Sequence, residues 1–133
     1  MWPIALKKSE GFRSPHLADL FLCLRFLNDL GSDYFSEAGL GRSIDQYATR
    51  KSMEYGQKIP KLSLHESRTT MTPKWKEKRT FTYQGRKQVF EKHFTIGVGS
   101  QEGCIHLYFE CDDEKRVVDI GYCGPHLDYL GAD

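Results

Sequence analysis

Nowhere in the chain do two cysteines stand in a C-x-x-C pair. Cys23, Cys104, Cys111 and Cys123 are scattered, and no histidine spacing completes a zinc pattern around them. Cys104 and Cys111 fall on one expected strand, seven positions apart, so they face opposite sides and do not pair with each other. All four read as small buried hydrophobes. Long hydrophobic runs are missing too. The most apolar stretch, "LADLFLCLRFLNDL", carries Asp19 and Arg25 and is shorter than a membrane span. The start, "MWPIALKKSE", has no long apolar stretch after a basic beginning, as a secretory leader would. A cytoplasmic protein that does not enter the membrane is expected. "GVGSQEG" lacks the Lys-Ser/Thr ending of a phosphate loop and joins strands instead of opening a helix. No nucleotide loop and no cofactor follow from it.

What is present fits one globular domain. The 133 residues are 39% hydrophobic and 13% aromatic, enough for a real core. Neither a repeat nor a low-complexity segment divides them. "SPHLADLFLCLRFLNDLG" predicts a buried helix, with Ser14 as N-cap, Pro15 in the first turn and Gly31 as the stop. Its stripe is Leu17, Leu20, Phe21, Leu24 and Leu27, widened by Phe26 and Leu30. "SIDQYATRKSMEYG" predicts a second helix: Ser43 and Gln46 form a capping box, Gly56 closes it, and Tyr47, Ala48 and Tyr55 face inward. The helical layer thus spans about 14–56. An irregular connection covers 57–78, with a short strand near Leu62–Leu64.

Residues 79–127 read as an antiparallel sheet. "RTFTYQGRKQVF" makes two strands about Gln84-Gly85, "KHFTIGVG" continues, and "CIHLYFEC" and "RVVDIGYC" form a last hairpin around an acidic turn. The expected fold is α+β, N-terminal helices packed on a four- to five-stranded antiparallel sheet. Pairing Cys111 with Arg116 sets Phe109 opposite Val118, Leu107 opposite Ile120 and Ile105 opposite Tyr122, one apolar face. On the other face Tyr108 then opposes Asp119, and His106 opposes Gly121, whose missing side chain leaves a groove. The Gly124-Pro125 corner returns His126 toward that groove.

This face offers acid–base chemistry. Cleaving an RNA phosphodiester without metal needs a base for the 2′-hydroxyl, an acid for the leaving oxygen and cations on the phosphate. His106 and His126 suit the first two roles, Arg79 the third, and Tyr108 can orient a base or stack a nucleotide. The same side chains also admit purely structural roles, such as a His106–Asp119 hydrogen bond. A metal site of His93, His106 and His126 with Asp119 is a weaker third reading, which no spacing demands. Charge is uneven: residues 74–92 carry +5, from Lys74, Lys76, Lys78, Arg79, Arg86, Lys87 and Lys92 against two acids, while 110–133 carry −5. A basic band of Lys74, Lys76, Lys78, Arg86, Lys87, Lys92 and His93 is therefore a candidate surface for nucleic acid or a protein partner.

The block "KHFTIGVGSQEGCIHLYFECDDEKRVVDIGYCGPHL", with "HESRTTMTPKWKEKRTF" before it, resembles the C-terminal half of small bacterial proteins ending in a "VGYxGPHL"-like strand, some of them defence-associated. More distantly it is similar to RelE-type toxins, small ribosome-dependent ribonucleases. That resemblance implies two helices on an antiparallel sheet and metal-free catalysis on the sheet face. Its roles would fall to Arg79, Lys92, His106 and either Tyr122 or His126, although the register above turns Tyr122 inward. It implies RNA or the ribosome as target, and an antitoxin or a defence-complex subunit as protein partner. The expected function is a cytoplasmic RNA-directed toxin with endoribonuclease activity. The alternative is a non-enzymatic interaction module.

Overall fold

A computed structural model of the chain describes residues 14–65, 76, 79–83, 86–97 and 104–125. Helix α1 spans Ser14–Tyr34 and helix α2 spans Ile44–Tyr55. The first runs past Gly31, where the sequence predicted a stop. Here the missing side chain serves packing: a Cβ on Gly31 would meet Val118 Cγ2 at 3.4 Å, so the helix lies close on the sheet. Leu20, Phe26, Leu27 and Leu30 are buried as the stripe predicts, and Cys23 is buried with them, but Phe21 is 38% exposed. The α2 caps match expectation. Ser43 and Gln46 bond each other's backbone N–H groups, and Gly56 ends the helix at a left-handed φ of 67°.

Four strands pair antiparallel in the order β1-β4-β5-β6. They are β1 (Lys61–Ser63), β4 (His93–Gly97), β5 (Cys104–Asp112) and β6 (Val117–Pro125). Strands β2 (Thr80–Tyr83) and β3 (Arg86–Val89) form a separate two-stranded sheet. The architecture is thus α+β, with both helices on one face of the four-stranded sheet. The first hairpin does not join that sheet because β4 already has β1 on one side and β5 on the other. The Gln84-Gly85 turn lies outside the described residues.

The core between helices and sheet holds Phe94, Ile96, Ile105, Leu107 and Phe109 from the strands. Phe26 meets Phe94 edge-on at 5.6 Å and Tyr47 at 5.7 Å. Tyr47 and Tyr55 of α2 donate their hydroxyls to Asp33 and Asp29 of α1, locking the helices together.

The last hairpin corrects the expected register. Cys111 pairs with Val118, not Arg116, and Phe109 with Ile120. The turn is wider because Asp112 Oδ1 accepts from the N–H groups of Glu114 and Lys115, both at 3.0 Å. Arg116 closes the turn at a left-handed φ of 58° and donates to the Phe35 carbonyl past α1. A shift of two residues keeps each side chain on its face. Beyond it, a bulge inserts Gly121 between the Phe109–Ile120 and Tyr108–Tyr122 pairs. The extra residue reverses the alternation. Cys123 takes the core side opposite Leu107, and Tyr122 leaves the core for the other face, opposite Tyr108.

Candidate functional site

The face turned away from the helices collects most of the chemistry-bearing residues. Alternation along β4 and β5 places His93 and Thr95 beside Tyr108 and His106, and β6 adds Asp119 and Tyr122. His93 is stacked on Tyr108 at 4.6 Å and on His106 at 5.2 Å, with interplanar angles of 24° and 23°. Its Nδ1 lies 2.8 Å from the Glu91 carbonyl oxygen. A carbonyl only accepts, so Nδ1 carries the hydrogen. Tyr122 donates to the Pro125 carbonyl at 2.6 Å, and burial raises its phenol above the usual value.

His106 faces Gly124 and not Gly121, so the expected groove is absent at that position. Gly121 is covered instead. A Cβ there would come within 2.9 Å of ring carbons of both Phe81 and Phe90. Those rings belong to the β2–β3 hairpin and its end. Phe81 also stacks on Tyr122 at 5.9 Å and reaches Tyr108 at 6.3 Å. The hairpin therefore covers the part of the face around Gly121, Tyr122 and Tyr108. Arg79 and Tyr108 are 1% exposed, Asp119 2%, His106 5% and His93 7%. Sequence reasoning missed this cover, although a mid-strand glycine equally signals close approach of another part of the chain.

At the margin, Lys92 meets Glu110 at 2.7 Å, and the same carboxylate accepts the Glu91 N–H at 3.2 Å. Lys92 is thus held in an ion pair on the sheet. Lys76 and Lys87 are exposed. Arg86 lies in β3, while Lys74, Lys78 and His126 lie outside the described residues. The structure accordingly brings together His93, His106, Tyr108 and Tyr122 on one face. Arg79 lies at the base of the β2–β3 hairpin, Lys92 is held by Glu110, and Lys76 and Lys87 are exposed.

Among the described residues no three His, Cys, Asp or Glu side chains are placed to hold a metal ion, and no helix is long and apolar enough to cross a membrane. No model of a known protein family matches the chain, and no curated protein or solved structure matches it either.

Proposed function

We propose that this protein is a small cytoplasmic RNA-directed effector of the toxin or defence kind, a metal-independent endoribonuclease working on the second face of its sheet. The observation that carries the reading is the stack of His93, His106 and Tyr108, with Tyr122 on the same face. In this mechanism one imidazole takes the proton of a 2′-hydroxyl, whose oxygen attacks the adjacent phosphorus. The other imidazole gives a proton to the departing 5′-oxygen. The products are a 2′,3′-cyclic phosphate end and a 5′-hydroxyl end. Arg79 stabilises the charge that develops on the phosphoryl oxygens. Tyr108 holds the imidazole planes in place by stacking.

The test is a translation reaction programmed with a defined messenger RNA, with the same RNA free of ribosomes as a second arm. RNA ends are mapped after adding wild-type protein, His106→Asn or Tyr108→Phe, each checked for folding by circular dichroism. Cuts with cyclic-phosphate ends, lost with folded His106→Asn, support the activity. No cuts in either arm, or cuts unchanged in that variant, overturn it.

One observation favours the second reading, a non-enzymatic module that binds nucleic acid or a protein partner. The polar side chains of this face are nearly closed off, whereas Lys76 and Lys87 stand exposed. Binding through such lysines to phosphates weakens steeply with salt, and binding to a protein through apolar contacts does not.

A further inference from the structure

We propose that the outer face of helix α2 is a docking surface for a second copy of this chain, with the two α2 helices lying antiparallel about a two-fold axis. The surface is separate from the histidine face, so the inference stands apart from the proposed activity.

Helix α2 divides its residues between two faces. Tyr47 is buried, and Tyr47 and Tyr55 donate their hydroxyls to Asp33 and Asp29 of α1. Ser52 Oγ accepts the Ile59 N–H at 3.0 Å. These bonds hold the inner face. On the outer face Gln46, Thr49, Arg50 and Met53 stand at i, i+3, i+4 and i+7, and all four are exposed. Gln46 bonds Ser43 and Thr49 donates to the Asp45 carbonyl, contacts within the helix and its cap.

Two features mark this face as a contact surface. Met53 is 78% exposed, against 38% for Phe21 and 40% for Val117, the other exposed large hydrophobic side chains among the described residues. Its flexible thioether suits packing against another chain. Beside it runs an open groove, lined among the described residues by Arg42, Gln46, Thr49, Arg50, Met53 and Glu54. Arg42, Gln46, Arg50 and Glu54 recur every fourth residue and form one ridge, while Thr49 and Met53 belong to the next. The space between two such ridges is where a ridge of another helix packs.

The charges select the occupant. The ridge has a cation, Arg42, at one end and a carboxylate, Glu54, at the other. In an antiparallel pair related by a two-fold axis, Arg42 of each copy faces Glu54 of the other, and Gln46 faces Arg50, so the surface is its own complement. Met53 then lies over the aliphatic stem of the opposite Arg42. Glu54 is held by Lys51 at 2.9 Å and its side chain is 50% exposed, which leaves carboxylate surface for a second cation. A polyanion fits less well, because Asp45 and Glu54, both exposed, set carboxylates beside the two arginines. One helix face is less than a permanent dimer buries, so the association is reversible.

Sedimentation equilibrium from micromolar to millimolar protein tests this. The expected result is a reversible monomer–dimer equilibrium. Met53→Asp, at an exposed position, should keep the wild-type circular dichroism and raise the dimer dissociation constant at least about tenfold, the effect of losing a central docking contact. Arg42→Glu and Glu54→Arg should each weaken self-association too. The first makes both ends of the ridge acidic and the second makes both basic, so an equimolar mixture of the two variants should regain a dimer, now of unlike chains. Lys51 keeps Asp29 and Asp33 at 4.0 and 3.9 Å when Glu54 is replaced, so the helix pair retains its ion contacts. A protein that is monomeric throughout the range, a dimer indifferent to Met53→Asp, or single variants that do not pair with each other overturn the proposal. So does RNA or another protein bound through Arg42 by a chain that does not self-associate.

Discussion

Phe90 rests directly on Gly121: a Cβ at that glycine would lie 2.9 Å from Phe90 Cγ and Cδ2, closer than such atoms approach. Gly121 is not among the glycines with left-handed φ, so the requirement is space and not backbone freedom. Gly121→Ala is predicted to destabilise the protein by about 1–3 kcal/mol, the usual range for overpacking. Thermal unfolding of the variant measures it. A Tm equal to wild type would mean that the rings yield without cost.

The tyrosines between the helices predict a sensitivity to alkali. Burial is the largest cause, and the bonds to Asp33 and Asp29 the next, that raise the Tyr47 and Tyr55 phenols above their ordinary value. For a group whose folded pKa is raised, the contribution is complete below the unfolded pKa, about 10 for tyrosine, and declines as pH rises above it. Urea unfolding followed from pH 8 to 11 should show stability falling above about pH 10. In Tyr47→Phe, which has no proton to lose there, the fall should be shallower. The same variant should lose about 1–3 kcal/mol at pH 8, because its hydrogen bond to a carboxylate is gone.

Lys92 and Glu110 have partly buried side chains, 25% and 15% exposed, and lie 2.7 Å apart. Replacing Lys92 by Gln removes the partner of a carboxylate that also fixes the chain at Glu91. The expected loss is about 1–3 kcal/mol by denaturant unfolding. The double variant Lys92→Gln/Glu110→Gln should recover part of it, since neither charge is then left alone.

Ser43 accepts the Gln46 N–H at 3.2 Å, and Gln46 Oε1 accepts the Ser43 N–H at 3.2 Å. Ser43→Ala leaves that N-terminal donor of α2 without its cap and should cost about 1 kcal/mol, read as a lowered urea midpoint with unchanged slope.

If the exposed Lys76 and Lys87 contact phosphate, each replacement by Gln should weaken binding of a single-stranded RNA uniformly across sequences. Each should also reduce the slope of log K against log salt by about 0.7. Fluorescence anisotropy over a salt series reads this directly. An unchanged slope would remove these lysines from the interface.

Much of the fold was legible because its signals are local. The Ser43–Gln46 box and Gly56 are short-range patterns that act through their own helix ends, and both stand where expected. The Leu/Phe stripe of α1 likewise announced a buried helix, since a period near four residues can serve no other packing. Gly31 shows the limit of that logic. A glycine near a helix end reads as a stop, yet here it admits Val118, a residue 87 positions further along the chain.

The candidate site divides in the same way. Alternation in "KHFTIGVG" and "CIHLYFEC" determined by itself that His106 and Tyr108 share one side of their strand and that Leu107 and Phe109 share the other, because strand side chains alternate with a period of two. Tertiary structure alone decided the rest. The Asp112-capped turn set the register, the bulge at Gly121 sent Tyr122 to the histidine face, and β1 took the edge of β4 that the first hairpin would have needed. Displaced from the sheet, that hairpin covers it around Gly121 instead. Each of these outcomes depends on which distant segment competes for a strand edge or a patch of bare backbone, and no local pattern encodes the winner of such a competition.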